Sequence, residues 1–101
     1  MFLDKWFSKK KAFGTRLDSA VFTCCHVLEE RVPILYVEHD SDGDWQFLCG
    51  KEHTTDEARI VSVKEVIKID SSICFIDNLT CGQIAERKSG NDRWKIKERL
   101  D

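Results

Sequence analysis

Hydrophobic and polar residues alternate over short stretches of this chain, most clearly in the segment HDSDGDWQFLCG at positions 39–50. Its DSDGD residues favour a tight turn, and beyond that turn one face of an extended chain carries Trp45, Phe47 and Cys49. The apolar run ILYV at positions 34–37 precedes the turn and is typical of a central strand. We therefore predict a central hairpin that pairs 34–37 with 45–48, with Asp42 exposed in the turn and Phe47 buried.

Shorter periodic segments predict the remaining elements. Strands are expected at 20–23, 59–62, 82–87 and 93–97. Helical turns are expected at 26–30, 63–69 and 73–75, the second of them started by the capping box SVKE. The predicted fold class is α+β: a single small domain, mainly an antiparallel sheet with the central hairpin, and one or two short helices on one face. Residues 1–16 are predicted to form an amphipathic N-terminal leader or short helix, and residues 17–101 the domain.

Length and composition limit the class of protein. A chain of 101 residues is long enough for one hydrophobic core, and it has no apolar run of the roughly 18 residues that cross a bilayer. The lysines at 9–11 follow the first apolar residues instead of preceding them, so we predict no secretory signal and a cytoplasmic location. Five cysteines, two of them adjacent, predict reduced, buried thiols and no disulfide framework.

Charge is unevenly distributed along the chain. Residues 18–86 carry a net charge of about −9, whereas both termini are basic. An acidic body argues against direct nucleic-acid binding and favours a basic protein partner. We predict that the partner-binding residues are Asp40, Asp42, Asp44 and Glu52, and that the chain is a monomer or weak homodimer.

Two sets of residues have the chemistry of a metal or thiol site. The DSDGD segment has alternate carboxylates, but its Gly43 does not fit the spacing of an EF-hand loop. Thiol and imidazole ligands are available in Cys24, Cys25, His26, Cys49 and His53. Because no CxxC or HxxxH pair is present, we predict no catalytic residues, no metal and no cofactor. The alternatives are a small metal- or thiol-dependent enzyme that uses this set, and a small-ligand pocket beside Trp45.

Several segments taken in order resemble a known family. They are TCCHVLEE, PILYVEHD, DGDWQFLCG, VSVKEVIKIDSSI and GQIAER, followed by Trp94. Together they resemble a small bacterial domain family of unknown function that overlaps the immunity-protein group thirty-three of polymorphic toxin systems. The resemblance covers about residues 18–97, and DGDWQFLCG is its most specific part. It implies a single α+β domain, with neutralisation of a basic toxin as one proposed role, and it carries over no catalytic residue.

Overall fold

The computed structural model describes residues 11–52 and 54–99. The strands in these ranges are β1 (Lys11–Ala12), β2 (Thr15–Arg16), β3 (Ala20–Cys24), β4 (Tyr36–His39), β5 (Trp45–Leu48), β6 (Ala58–Ser62), β7 (Gln83–Glu86) and β8 (Lys95–Glu98). The α-helices are α1 (Cys25–Glu30) and α2 (Val63–Ile69), and two 3-10 helices span Thr55–Glu57 and Ser71–Ile76. No helix in the described ranges has the length and apolar character needed to cross a membrane.

Six of the described strands form one sheet in the order β6-β3-β5-β4-β7-β8, in which only the β3-β5 pair is parallel. The predicted central hairpin is confirmed, with Val37 opposite Phe47. Strand β4 begins two residues later than predicted, at Tyr36, although the backbone N–H of Leu35 still donates to the carbonyl of Leu48 at 2.9 Å. The α+β class and the mainly antiparallel sheet are likewise confirmed.

Local side-chain bonds explain where the helices begin and end. The Ser62 hydroxyl accepts a hydrogen bond from the backbone N–H of Glu65, so α2 starts where the capping pattern predicted. The Asp70 carboxylate accepts from the backbone N–H of Ser72 and starts the following 3-10 helix. Helix α1 ends at Glu30, because the next residue, Arg31, has a φ of 59° and lies in the left-handed region that stops a helix.

The helices and one face of the sheet share a single hydrophobic core. The strands contribute Val21, Val37, Phe47 and Ala85, and the helical segments contribute Val27, Val63, Val66, Ile73 and Ile76. The predicted buried face of β5 is confirmed, because Trp45, Phe47 and Cys49 are exposed by 4%, 0% and 3%. Asp42 is exposed in the turn, as predicted.

Part of the predicted leader packs into this core. Residues 11–16 form the β1-β2 hairpin, and its turn residue Phe13 is 2% exposed. The Phe13 ring makes edge contacts with Trp45 and Phe47, at centroid distances of 4.9 and 5.2 Å. Phe13 is therefore a core residue of the domain. The rest of the leader or short helix predicted over residues 1–16, namely residues 1–10, lies outside the described ranges.

Candidate functional site

The face of the sheet opposite the core carries a groove of about 640 Å³. Cross-strand register places Phe22 beside Gln46 and Glu38 beside Gln46, so these three side chains share this face. The lining residues are Phe22, Thr23, Cys24, Tyr36, Glu38, Asp40, Asp44, Gln46, Leu48, Gly50, Lys51, Glu52, Thr54, Thr55 and Ala58. The groove thus combines apolar side chains such as Phe22 and Leu48 with an acidic rim.

A buried carboxylate lies in the floor of the groove. Glu38 is 4% exposed, accepts a hydrogen bond from the Tyr36 hydroxyl at 2.8 Å and forms a salt bridge with Arg99. Burial, followed by the hydrogen bond to Glu38, raises the pKa of Tyr36 to about 12. The phenol therefore stays neutral at physiological pH and acts as a hydrogen-bond donor.

The four predicted partner-binding carboxylates do not lie together. Asp40 and Asp44 line the groove at one end of β5, and Glu52 lines it beyond the other end. Asp42 projects from the turn and is not part of the lining. Asp40 has a structural task, since its Oδ1 accepts from the backbone N–H groups of Asp42 and Asp44 at 2.9 and 3.0 Å. The DSDGD segment thus forms an Asx-type turn, in which the Asp40 carboxylate accepts the backbone hydrogen bonds.

A thiol and imidazole cluster borders the same groove. One ligand atom from each of Cys24, His26 and Cys49 lies within 4.8 Å of the other two, and Cys49 Sγ is 3.9 Å from His26 Nδ1. Cys24 is the last residue of β3 and Cys49 directly follows β5. Because β3 and β5 are parallel neighbours, their carboxyl ends meet at one edge of the sheet. This pairing brings together two cysteines that are far apart in sequence.

The second nitrogen of the same imidazole is held by a carboxylate. His26 Nε2 is 3.3 Å from Glu57 Oε2. Glu57 is itself fixed by a capping box, in which its Oε1 accepts from the backbone N–H of Thr54 at 3.0 Å. A proton on Nε2 directed at Glu57 leaves the lone pair of Nδ1 facing the two thiols.

Burial raises the pKa of two thiols at this cluster, Cys49 and Cys25. Burial raises the pKa of the Cys49 thiol, and the neighbouring Cys24 adds to the shift, while a backbone hydrogen bond from Lys51 opposes it. Burial also raises the pKa of Cys25, with Arg59 opposing it. A protonated thiol is a poor nucleophile, which disfavours cysteine catalysis here.

The five thiol and imidazole residues predicted as an alternative metal set are only partly brought together. Cys25 starts α1, and with His26 and Glu30 it forms a second, more exposed group; His53 lies outside the described ranges. The spacing of Cys and His residues along the sequence argued against a metal site, because a spacing pattern identifies only ligands that lie within one local segment. No pattern in the sequence predicts the exposed pair formed by Cys81 Sγ and His39 Nε2, which are 3.8 Å apart.

The groove does not lie beside Trp45, where a ligand pocket was considered. The Trp45 indole faces the core, stacks on His39 at a centroid distance of 4.1 Å, and is absent from the groove lining. The alternation in β5 assigns Trp45 to the core correctly, and the groove lies on the opposite face of the sheet. A fluorescence change of Trp45 would therefore report on the core and only indirectly on the groove.

Comparisons with protein-family models, with curated proteins and with solved structures found no match to this chain. The resemblance to the immunity-related family therefore stays a prediction.

Proposed function

We propose that this chain is a non-enzymatic cytoplasmic binding protein whose groove holds a basic, extended segment of a protein partner. A toxin neutralised in this way is the partner that the family resemblance implies. The observation that carries the proposal is a groove with an acidic rim on the sheet face opposite the core.

The charges of the groove favour a cationic occupant. The carboxylates on its rim come from Asp40, Asp44 and Glu52, and one ammonium group comes from Lys51. The buried Glu38 carboxylate is already paired with Arg99. Carboxylates on the rim attract and orient a basic partner during encounter. A segment rich in arginine or lysine fits best, because its charged ends reach the rim while its aliphatic stems cover the floor.

The chain itself holds a guanidinium group at this face. Arg99 follows β8, and its Nη1 donates to the buried Glu38 carboxylate. Arginine is the cation best suited to partly buried carboxylates, since its planar fork is weakly hydrated and makes directed hydrogen bonds. A partner arginine is expected to use the rim carboxylates in the same way.

Exposed apolar side chains extend the face beyond the groove. Phe22 is 36% exposed and lies opposite Ile60, which is 67% exposed, on the edge strand β6. Apolar side chains flanking a charged groove supply the desolvated contacts on which protein interfaces depend. These contacts support a protein partner over a free small cation.

The test is titration calorimetry with a short extended peptide of alternating arginine and leucine. A peptide with glutamate in place of arginine is the ligand control. The double variant Asp44→Lys/Glu52→Lys should weaken binding at least about tenfold, because each reversal replaces an attraction at the rim by a repulsion. Raising the salt concentration should weaken wild-type binding as well.

Asp42→Lys is the matched control, since it makes the same charge change in the same turn but outside the groove lining. It should alter the affinity by no more than about twofold, through long-range screening alone. Equal losses for Asp42→Lys and Asp44→Lys would contradict a groove-specific interaction. Binding that survives both groove reversals would overturn the proposal. Asp40 is left intact because its carboxylate holds the turn.

A further inference from the structure

We propose that Cys24 Sγ, Cys49 Sγ and His26 Nδ1 form a zinc site in which Glu57 orients the imidazole ligand. A water molecule would complete a tetrahedron around the ion. The proposal does not rest on partner binding, since the three donors and Glu57 all belong to this chain.

The spacing of the three donors is close to that of a bound zinc ion. With Zn–S and Zn–N bonds of about 2.3 and 2.0 Å, tetrahedral geometry separates a sulfur from a nitrogen ligand by about 3.5 Å. The observed distance from Cys49 Sγ to His26 Nδ1 is 3.9 Å, and all three donor atoms lie within 4.8 Å of one another. Small side-chain rotations are therefore enough to reach coordination distances.

The donor set favours zinc on chemical grounds. Two thiolates and one imidazole suit a borderline-soft ion without a strong geometric preference, whereas calcium and magnesium require oxygen ligands. Binding releases the two thiol protons to solvent and leaves two thiolates whose charge balances that of Zn²⁺. The pairing of charges makes a dry site acceptable, and the two cysteines are only 1% and 3% exposed.

The Glu57 carboxylate beside the second nitrogen of the His26 ring distinguishes this cluster from a chance contact. Ligating histidines generally donate their second N–H to a carboxylate or carbonyl, which fixes the ring and its tautomer. Glu57 is in position to accept from His26 Nε2, and the Thr54 cap holds Glu57 in turn. The His26 side chain is 26% exposed, which gives the ion a route from solvent.

Two other groups satisfy fewer of these conditions. The group of Cys25, His26 and Glu30 has one sulfur and includes an exposed carboxylate, and it competes for the same imidazole. The pair of Cys81 and His39 has a similar sulfur–nitrogen distance of 3.8 Å, but within the described ranges no third donor completes it. That pair supplies a control of matched geometry.

The experiment is a cobalt titration of the chelator-treated, reduced full chain, followed by competition with zinc. One Co²⁺ per chain should give a thiolate-to-cobalt charge-transfer band and the intense visible bands of tetrahedral coordination, and Zn²⁺ should abolish both. Cys24→Ser and Cys49→Ser should each remove about half of the charge-transfer intensity or abolish binding. Cys81→Ser should leave the spectrum and the stoichiometry unchanged.

Glu57→Gln keeps all three ligands and tests the orienting role without emptying the site. It should weaken zinc binding by about 10- to 100-fold while the cobalt spectrum keeps its thiolate band. Circular dichroism of each metal-free variant shows whether the fold is intact. A wild-type protein that binds no stoichiometric cobalt, or a spectrum unchanged in Cys24→Ser and Cys49→Ser, would overturn the proposal. A preserved groove affinity in those cases would leave the proposed function standing.

Discussion

Arg87 is a buried side chain whose removal should weaken the fold without touching the groove. It is 8% exposed and donates four hydrogen bonds: to the carbonyls of Ile34 and Gly90, to the Ser72 hydroxyl and to the Asp70 carboxylate. Its guanidinium also stacks 4.1 Å from the Trp94 ring centroid. It therefore ties the end of β7 to the corner between α2 and the following 3-10 helix.

The cost of Arg87→Met follows from this environment. Removing one partner of a buried ion pair costs about 3 to 5 kcal/mol, because the other charge remains buried and unpaired. Asp70 is 22% exposed and keeps its hydrogen bonds from Ser72, so the lower end of that range applies. Methionine retains part of the apolar contact with Trp94. We expect a loss of about 3 kcal/mol from a total stability of about 5 to 15 kcal/mol.

Urea denaturation followed by circular dichroism measures this loss. With an m-value of about 1.5 kcal/mol per M, the midpoint should fall by about 2 M. Lys97→Met is the matched control. The ion pair of Lys97 Nζ and Glu86 Oε1 spans 2.5 Å, the same distance as that of Arg87 Nη2 and Asp70 Oδ2. The Lys97 and Glu86 side chains are, however, 61% and 43% exposed, so the loss should stay below about 1 kcal/mol. Equal losses in the two variants would refute the premise that burial, and not distance, determines the value of these pairs.

Two further predictions concern the groove floor and the N-terminal hairpin. Tyr36 is the single tyrosine, so its tyrosinate absorbance should titrate near pH 12 in the folded protein and near about 10 in denaturant. Because the pKa of Tyr36 is higher in the folded state, the stability that its protonated phenol contributes is present below about pH 10. This stability is lost as the pH rises toward 12. Glu38→Gln should lower the folded-state value, and an unchanged titration would exclude Glu38 as a cause. Phe13→Ala should cost about 3 to 5 kcal/mol in thermal or urea unfolding, because it empties a core position, and a loss under about 1 kcal/mol would show that the hairpin is not part of the cooperative unit.

The elements that sequence predicted well are those specified by neighbouring residues. The β4-β5 hairpin depends on a turn and an alternation that both lie within the segment from 36 to 48. The start of α2 depends on Ser62 and Glu65, which are three residues apart. Such signals need no knowledge of distant strands, and the structure places both elements within two residues of their predicted bounds.

The features that sequence did not predict depend on contacts between distant residues. Nothing in the local pattern shows that β3 pairs in parallel with β5, since 24 residues separate Thr23 from its partner Phe47. The burial of Phe13 likewise depends on the face that Trp45 and Phe47 present after the sheet forms. Apolar residues near lysines at a terminus therefore indicated a separate leader, although the ring at position 13 packs into the core.

The parallel pairing of β3 with β5 is also what relates the two proposed sites. It places Cys24 and Cys49 at one edge of the sheet, and the segment that leaves this edge lines the groove through Gly50, Lys51, Glu52, Thr54 and Thr55. An ion held by Cys49 and His26, with Glu57 fixed beside it, would restrain both ends of that segment. Restraining a binding wall before the partner arrives lowers the entropy lost on binding. The zinc site would thus act on the groove through the rigidity of one loop, while the groove keeps its selectivity through Asp44 and Glu52.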